Sequence, residues 1–371
     1  MSSCYIFAGG GTGGHLYPGL AVAAEVLHLQ GDARIVFACS DRAIDQKILG
    51  PLAYKIIPQP IKPLPSSLGA ILPFWRAYKA SMKLAESILA EHKPAAVLGL
   101  GGFAAAPMVA IADKRGVRSG MLNPDAVPGK ANKMLAKHAQ IIFTQFGSTA
   151  ECFAPQLREK VRRVGCPIRP AFAKTDRNEA MTLLGLDPDK NTLLVFGGSL
   201  LAESISDAVE ALAGDLKEFA DRWQVLHISA SPKAAGVEHK LAASGVATKT
   251  LAYCDRMELA YAAANLVLGR GGAGTVAEVA ATGRAAVIMP YPHHKDQQQK
   301  LNAQELVRAS AAVLCEDLKD PAANAAALRT IMLPILRDGA KLDRMKAASA
   351  TLGQTEAAKD VARWLVGNVW P

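Results

Sequence analysis

Residues 8–21 read AGGGTGGHLYPGLA and follow a short apolar run, Cys4–Phe7. Apolar residues then continue at helical spacing from Leu20 to Leu27. A strand that ends in a glycine-rich turn and leads into a helix is typical of an anion site, because glycine lets the backbone approach closely and the first helix amides point at the ligand. His15 directly follows the last of these glycines, where its imidazole would face a bound group. A tight turn that binds nothing is the alternative interpretation.

The same stretch satisfies the G-x-G-x-x-G spacing through Gly9, Gly11 and Gly14, with Asp41 after the next predicted strand as a ribose partner. An NAD-dependent oxidoreductase is therefore an alternative. The glycines are denser than that fingerprint requires, and a histidine follows them at once. No Lys-Ser or Lys-Thr pair follows the loop, which excludes a nucleoside-triphosphate P-loop.

Short apolar runs alternate with helical patterns along the 371 residues. The predicted strands are Cys4–Ala8, Arg34–Ala38, Ala95–Leu100, Ser119–Asn123, Ile141–Thr144, Lys160–Val164, Thr192–Phe196, Trp223–Ile228, Val246–Leu251, Leu266–Leu268, Ala286–Met289 and Ala312–Leu314. This alternation predicts an α/β protein with parallel strands covered by helices. Residues 94–112 carry no charge, but glycines and a proline divide them into a strand, a loop and a helix rather than a membrane span.

The length predicts two domains, and the pattern loosens around residues 165–189. We expect an N-terminal domain over residues 1–165 and a C-terminal domain over residues 166–344, with a helix over residues 345–371 packing back. Glycine loops follow strands in both halves, at 7–10, 98–104, 195–198 and 268–274. Because ligands bind at the carboxyl ends of parallel strands, two such sheets facing each other would form a cleft lined by these loops.

The net charge of +9 lies in the first half of the chain. Residues 1–170 contain 20 Lys and Arg against 10 Asp and Glu, and residues 171–371 contain 22 against 23. A basic half predicts an anionic partner, either a membrane face or a phosphorylated substrate; a basic surface that serves solubility alone is the alternative. We expect no nucleic-acid partner, since no arginine-rich tail or stacking module occurs. Six scattered cysteines without a C-x-x-C pair indicate a reducing cytosol.

Residues 61–83 combine an apolar cluster with cations. The apolar residues are Leu68, Ile71, Leu72, Phe74 and Trp75, and the cations are Lys62, Arg76, Lys79 and Lys83. Such a segment is typical of a surface that rests on an anionic bilayer without spanning it. An ordinary amphipathic helix packed on the sheet is the alternative.

A second glycine loop, GRGGAGTVAE at residues 269–278, leads into a predicted helix whose free amides could take a diphosphate. Glu278 lies one turn into that helix, where it could accept hydrogen bonds from a ribose diol; an acid stabilised by the helix dipole is the alternative. Downstream, Asp296, Gln298 and Gln299 are of the type that reads sugar hydroxyls. The adjacent His293–His294 pair has no third ligand, so no metal site is predicted.

Several motifs occur in one order over nearly the whole chain. They are GGTGGHLYPGLA (10–21), GGF (101–103), P-G-x-x-N-K (128–133), G-x-P-x-R (165–169), GGS (197–199), R-x-G-A-x-T-V-x-E (270–278) and H-K-D-x-Q-Q (294–299). In these motifs the chain resembles the MurG family of UDP-N-acetylglucosamine transferases. The resemblance implies the GT-B fold, two Rossmann-like parallel-sheet domains facing across a cleft. It also implies inverting transfer, without a cofactor or metal, to the 4-hydroxyl of N-acetylmuramyl-pentapeptide on undecaprenyl diphosphate, by a peripheral protein at the cytoplasmic face of the membrane.

The resemblance also assigns roles to individual residues. His15 and Asp125 are the candidate catalytic bases. Substrate-binding roles fall to Thr12, Gly13, Gly14, Arg169, Ser199, Cys254, Ala273, Gly274, Thr275, Val276, Ala277, Glu278, Gln298 and Gln299. Thr12, Gly13 and Gly14 would contact the acceptor diphosphate and the donor sugar. Arg169 and Ser199 would contact the donor's diphosphate or nucleotide. Cys254 would offer backbone contacts to uracil, residues 273–278 would hold the nucleotide, and the two glutamines would read the sugar.

The chain departs from the family pattern at three places. Leu122-Asn123-Pro124-Asp125 replaces the usual H-E-Q-N, Gly271 replaces a serine, and Leu200-Leu201 follows GGS in place of Q-G-A. These changes leave room for a GT-B enzyme that glycosylates another lipid. A nucleotide-sugar-binding protein without catalysis is a further alternative.

Overall fold

The structure is a computed structural model that describes residues 2–63, 65, 67–197, 203–293 and 296–368. The chain divides into two compact units. The first comprises Met1–Arg169 together with Thr355–Pro371, and the second comprises Pro170–Gln354. No helix within the described ranges is long and apolar enough to cross a membrane.

The first unit is built on a seven-stranded parallel sheet. Its strands are β1 (Cys4–Ala8), β2 (Arg34–Ser40), β3 (Lys55–Gln59), β4 (Ala96–Gly99), β5 (Arg118–Asn123), β6 (Ile141–Thr144) and β7 (Val161–Arg163), in the order β3-β2-β1-β4-β5-β6-β7. The central strand β1 is fully buried, which explains its continuous apolar sequence. Phe7 pairs with Phe37 on one side and with Leu98 on the other.

Six helices cover this sheet. They are α1 (Gly13–Leu29), α2 (Ala43–Leu49), α3 (Ile71–His92), α4 (Ala106–Lys114), α5 (Lys130–Leu135) and, from the end of the chain, α16 (Ala357–Leu365). Helix α16 packs against α1, and Val361 and Leu365 join the core formed around Phe7 and Phe37. Helix α1 begins at Gly13, within the glycine-rich stretch itself, so His15 lies in its first turn.

The second unit contains a six-stranded parallel sheet. Its strands are β8 (Asn191–Phe196), β9 (Trp223–Ile228), β10 (Thr248–Leu251), β11 (Leu266–Gly269), β12 (Ala285–Ile288) and β13 (Ala312–Leu314), in the order β10-β9-β8-β11-β12-β13. The helices are α6 (Ala171–Lys174), α7 (Arg177–Leu184), α8 (Glu203–Ala211), α9 (Ala213–Leu216), α10 (Ala234–Ala243), α11 (Met257–Ala263), α12 (Ala273–Ala281), α13 (Gln298–Arg308), α14 (Pro321–Arg337) and α15 (Gly339–Ala350).

The structure confirms all twelve predicted strands, with bounds that differ by two residues or fewer. It adds β3, which the sequence did not predict. At the end of the chain there are two helices rather than one, because the chain turns at residues 351–356. Helix α15 belongs to the second unit and α16 to the first.

Candidate functional site

In the first unit, β1 has β2 on one side and β4 on the other. The connections after β1 and β4 therefore lead away in opposite directions, which opens a crevice at the carboxyl ends of these two strands. The predicted anion loop, residues 9–12, follows β1, and Gly101 and Gly102 follow β4. The sheet topology thus brings two of the glycine loops to one edge.

The first glycine loop lies on a buried carboxylate. Gly9, Gly10 and Gly11 have φ values of 146°, 159° and 87°. Asp45, which is fully buried in α2, accepts hydrogen bonds from Gly11 N at 2.7 Å, from Ser40 N at 3.0 Å and from Ser40 Oγ at 2.6 Å. A Cβ at Gly10 would lie 2.9 Å from the carboxyl carbon of Asp45. The shape of the loop is therefore set by Asp45.

His15 lies between the two loops. Its Nδ1 is 3.2 Å from Gly10 O and 3.2 Å from Thr12 Oγ1. The ring covers Gly101 and Gly102, where added Cβ atoms would lie 3.2 Å from Cδ2 and 3.1 Å from Cε1. The side chain is half-buried. If Nδ1 carries the proton and donates it to Gly10 O, Nε2 keeps its lone pair free to act as a base.

Two asparagines connect the second loop to the segment that contains Asp125. Gly102 N donates to Asn132 Oδ1 at 2.9 Å, and Asn132 Nδ2 donates to Asn123 Oδ1 at 2.8 Å. Asn123 Nδ2 in turn donates to the backbone oxygen of Asp125 at 2.7 Å. This chain fixes the main chain at Asp125, which is half-buried, at the same sheet edge as His15.

Helix α1 and Arg42 add positive charge to this edge. The side chain of Thr12, the N-cap of α1, makes no capping bond to the helix, so the amides of Gly13 and Gly14 have no acceptor within the part of the chain that the structure describes. Arg42 Nη1 donates to Gly11 O at 3.3 Å, and its guanidinium lies 5.5 Å from the centre of the Phe103 ring. None of the described carboxylates forms an ion pair with Arg42, so its charge is available to an anion.

In the second unit, the equivalent crevice lies between β8 and β11. The loop after β8 contains Ser199 and Leu200, which lie outside the described residues, as does His294. The loop after β11 leads into α12, with Gly272 as its N-cap and no side-chain capping bond. Ala273 and Val276 are buried, whereas Gly274, Thr275, Ala277 and Glu278 are partly exposed. Helix α12 therefore begins at the switch point of the sheet.

Behind this loop, the side chain of Arg270 bonds to residues that follow other strands of the sheet. The buried guanidinium pairs with Asp317 at 2.9 Å, and it donates to Met289 O at 2.9 Å and to Ser204 Oγ at 2.8 Å. Burial lowers the pKa of Arg270, although the Asp317 carboxylate opposes that shift. Burial alone would raise the pKa of Asp317, but hydrogen bonds from Ser204 and its other neighbours bring it below its ordinary value. Arg270 and Asp317 thus form a buried ion pair with additional hydrogen bonds to both partners.

Glu278 lies close to the buried Tyr261. Burial raises the pKa of the Tyr261 phenol well above its usual value, and the Glu278 carboxylate raises it further. Of the two glutamines predicted to read the sugar, Gln299 accepts a hydrogen bond from Tyr291 N at 2.8 Å through Oε1. Gln298 N donates to Asp296 Oδ1 at 3.3 Å in the first turn of α13. The first contact places the side chain of Gln299 beside the loop after β12.

The remaining predicted residues lie elsewhere. Arg169 is the last residue of the first unit and is partly exposed, and Cys254 is partly exposed in the loop after β10. Among the described residues no group of three or more His, Cys, Asp or Glu side chains could hold a metal ion.

Comparison with known proteins gives the family. Residues 5–144 match the glycosyltransferase family 28 N-terminal domain, and residues 192–362 match the C-terminal domain of the same family. A relative from Nocardioides sp. is 35% identical over 365 residues, which cover 96% of each chain. One from Acidothermus cellulolyticus is 36% identical, covering 96% of this chain and 95% of the relative. Both are named UDP-N-acetylglucosamine–N-acetylmuramyl-(pentapeptide) pyrophosphoryl-undecaprenol N-acetylglucosamine transferase. The chain belongs to the MurG family.

Solved structures agree on the fold. The crystal structure of Acinetobacter baumannii MurG matches with a TM-score of 0.75 at 24% identity, covering 98% of this chain and 99% of the other. A UDP-GlcNAc 2-epimerase from Neisseria meningitidis matches with a TM-score of 0.69 at 13% identity, covering 99% and 100%. Together with the two parallel sheets, these similarities confirm the predicted GT-B fold.

Sequence reasoning missed the residues that support the MurG-family motifs. Asp45 and Asp317 lie outside every motif, and their partners Gly11 and Arg270 are 34 and 47 positions away. Asn132 stands inside the P-G-x-x-N-K motif, and that signal could have identified it as a residue with a fixed role. The role of its side chain, however, is visible only in the structure.

Proposed function

We propose that this protein is an inverting glycosyltransferase that moves N-acetylglucosamine from UDP-N-acetylglucosamine to the 4-hydroxyl of N-acetylmuramyl-pentapeptide on undecaprenyl diphosphate. The observation that carries the proposal is identity of 30–36% with transferases of that name over nearly the whole chain. The geometry is consistent with it, since each unit offers helix amides at a switch point of its sheet. The product is the lipid-linked disaccharide used for peptidoglycan synthesis.

In the proposed reaction, the acceptor hydroxyl attacks the anomeric carbon of the donor sugar while the bond to UDP breaks. A base takes the proton of that hydroxyl. His15 is the first candidate, because Gly10 O can hold the Nδ1 proton and leave Nε2 as the proton acceptor. Asp125 is the second candidate. Its backbone is fixed by Asn123, and it stands where family members carry an amide.

The leaving UDP would be stabilised by positive groups rather than by a divalent ion. The first amides of α12, which follow the N-cap Gly272, would donate to the diphosphate. Arg169 would add a charged donor, as the family resemblance implies. Glu278 would hold the ribose, and Gln298 and Gln299 the sugar hydroxyls.

The first unit would dock at the cytoplasmic face of the membrane. In the structure Leu68, Ile71, Leu72 and Trp75 are 87%, 39%, 59% and 52% exposed. Phe74, Trp75 and Tyr78 contact one another on the same helix, α3. The cations of this segment form no ion pair with any described residue; they are Lys62, Arg76, Lys79 and Lys83. An apolar cluster ringed by unpaired cations favours an anionic bilayer surface.

The test is a transfer assay with purified protein, UDP-N-acetylglucosamine and a lipid-linked muramyl-pentapeptide. We expect transfer to this acceptor and none to diacylglycerol. We also expect no binding of a nicotinamide cofactor. Transfer only to diacylglycerol would favour a different lipid glycosyltransferase. Binding of the donor without transfer to either lipid would indicate a binding protein.

Variants of the two candidate bases refine the assay. We expect His15→Ala to lower kcat at least a hundredfold while the Kd for UDP stays near the wild-type value. His239→Ala, an exposed histidine on α10, is the matched control. If His15→Ala and Asp125→Ala both keep wild-type turnover, neither side chain is the base.

A further inference from the structure

The strand order of the first sheet sets the order of the loops at its carboxyl edge. Strands β3, β2, β1, β4 and β5 are neighbours in that order. The loop after β3 leads into the exposed apolar cluster at residues 68–75, at the start of α3. Arg42 follows β2, His15 lies in the helix that follows β1, and Asp125 follows β5. Arg42 therefore lies between the apolar cluster and the two candidate bases.

This order matches the order of the chemical groups in the acceptor of the proposed function. That molecule consists of a hydrocarbon chain, a diphosphate and a sugar whose 4-hydroxyl reacts. If the hydrocarbon lies at the cluster after β3 and the hydroxyl reaches His15, the diphosphate lies at the loop after β2. Neighbouring strands are about 4.8 Å apart, so β2 and β4 are separated by about 10 Å. One sugar ring with its phosphoester spans a distance of that order.

Two contacts fix the guanidinium of Arg42 over the first glycine loop. Its Nη1 donates to Gly11 O at 3.3 Å, and its central carbon lies 5.5 Å from the centre of the Phe103 ring. Phe103 follows β4, so the side chain of Arg42 reaches across the loop after β1. Arginine has five N–H donors, and Gly11 O is the only acceptor for them among the residues that the structure describes.

The acidic side chains near Arg42 leave its charge unpaired. The carboxylate of Asp45 accepts from Gly11 N and from Ser40 N and Oγ. Asp41 is exposed, and within the described ranges neither carboxylate forms an ion pair with Arg42. A guanidinium fixed by a carbonyl and an aromatic ring, with its charge unpaired, is suited to bind phosphate oxygens through paired N–H donors.

We propose that Arg42 binds the diphosphate of the lipid acceptor and thereby positions the sugar at His15. The inference rests on the proposed function, because it takes the acceptor from there. Sequence reasoning assigned the acceptor diphosphate to residues 12–14 alone, since Arg42 lies outside every motif. Its place in the site follows from the order of the strands and from its contact with Phe103.

The experiment measures inhibition of transfer by farnesyl diphosphate and by farnesol, two probes that share a hydrocarbon chain and differ in the diphosphate. On wild-type protein we expect farnesyl diphosphate to compete with the lipid acceptor and to bind at least tenfold more tightly than farnesol. Arg42→Ala should raise its Ki about tenfold, and Arg42→Lys, which keeps the charge but not the paired donors, about threefold. The Ki for farnesol should not change. The KM for the acceptor should rise with the Ki for farnesyl diphosphate, whereas the Kd for UDP, assigned to the second unit, should stay constant.

Arg115→Ala is the matched control and should keep wild-type values, because this exposed arginine lies between α4 and β5, at the opposite edge of the sheet. Arg42→Lys retains a donor for Gly11 O and serves as the second variant if Arg42→Ala does not fold. A folded Arg42 variant that weakens both probes equally, or neither, would overturn the inference while the proposed function stands. Wild-type protein on which farnesyl diphosphate acts no better than farnesol would do the same. Wild-type protein that transfers no sugar to the lipid-linked acceptor would overturn both.

Discussion

Removal of the Asp45 carboxylate should loosen the first glycine loop and slow transfer. Asp45→Ala deletes three hydrogen bonds and leaves two amides, Gly11 N and Ser40 N, without that acceptor. A bond to a charged group contributes about 1.5–3 kcal/mol, and an unsatisfied buried donor costs about 1–3 kcal/mol. Because water can enter the vacated space, we expect a net loss of about 4 kcal/mol in the free energy of unfolding of the first unit. This corresponds to a melting temperature lower by about 10 °C.

The assay measures thermal unfolding, kcat and the Kd for UDP on the same preparations. Since Gly10 O and Gly11 carry the contacts of His15 and Arg42, kcat should fall at least tenfold at a temperature where the variant is folded. UDP binding, assigned to the second unit, should not change. Asp45→Asn keeps one acceptor oxygen and should give an intermediate loss, and the exposed Asp41→Ala serves as the stability control. A melting temperature within 2 °C of wild type, or equal losses of kcat and UDP affinity, would refute the reasoning.

Three further substitutions probe separate parts of the chain. Asn132→Ala leaves Gly102 N without its acceptor, and calorimetry should show the first unit destabilised by about 1–3 kcal/mol. Asp317→Asn removes a carboxylate whose folded pKa is depressed, so its stabilisation exists above the unfolded pKa of about 3.9 and disappears as pH falls through the folded value. Chemical denaturation should therefore find the variant about 3–5 kcal/mol less stable at pH 7 and the difference smaller at pH 3. Trp75→Glu should abolish flotation with anionic vesicles, whereas Leu183→Glu, at a comparably exposed position of the second unit, should not. Vesicle binding by the wild-type protein should weaken as the salt concentration rises, since each cation near the membrane surface contributes about 1 kcal/mol. Vesicle binding that does not depend on the salt concentration would contradict the electrostatic part of the proposal.

The buried strands were predictable because parallel strands covered on both faces have continuous apolar sequences. Cys4–Ala8 is of this kind, and the structure reproduces its predicted bounds. Strand β3 was missed because it is a partly exposed edge strand that contains Pro58. Proline at an edge breaks no ladder bond, but in a sequence it indicates a loop.

The chemistry of the site was only partly predictable. The glycine motifs identify two loops because their spacing is local, whereas the groups that shape these loops come from distant positions. The carboxylate of Asp45 reaches Gly11 across 34 residues, and Asn302 reaches Gly271 across 31. No periodicity or motif encodes such pairs, since they depend on how parallel strands are ordered in the sheet. The roles of His15 and Glu278 stay predictions.

The two glycine loops differ in the charge that lies beneath them, and this difference bears on which substrate each would hold. The loop after β1 has the buried Asp45 carboxylate under it, and that carboxylate already occupies the amide of Gly11. A phosphate placed against that amide would meet a like charge at close range, which is unfavourable in a partly desolvated site. An anion at this edge must therefore approach from the side of Arg42 and the first turn of α1. The loop after β11 has the Arg270–Asp317 ion pair behind it, whose charges compensate each other, and α12 begins there without a side-chain cap. The loop after β11 is therefore better suited to bind a nucleoside diphosphate. The loop after β1, which has the denser glycine motif, is better suited to the acceptor than to the nucleotide.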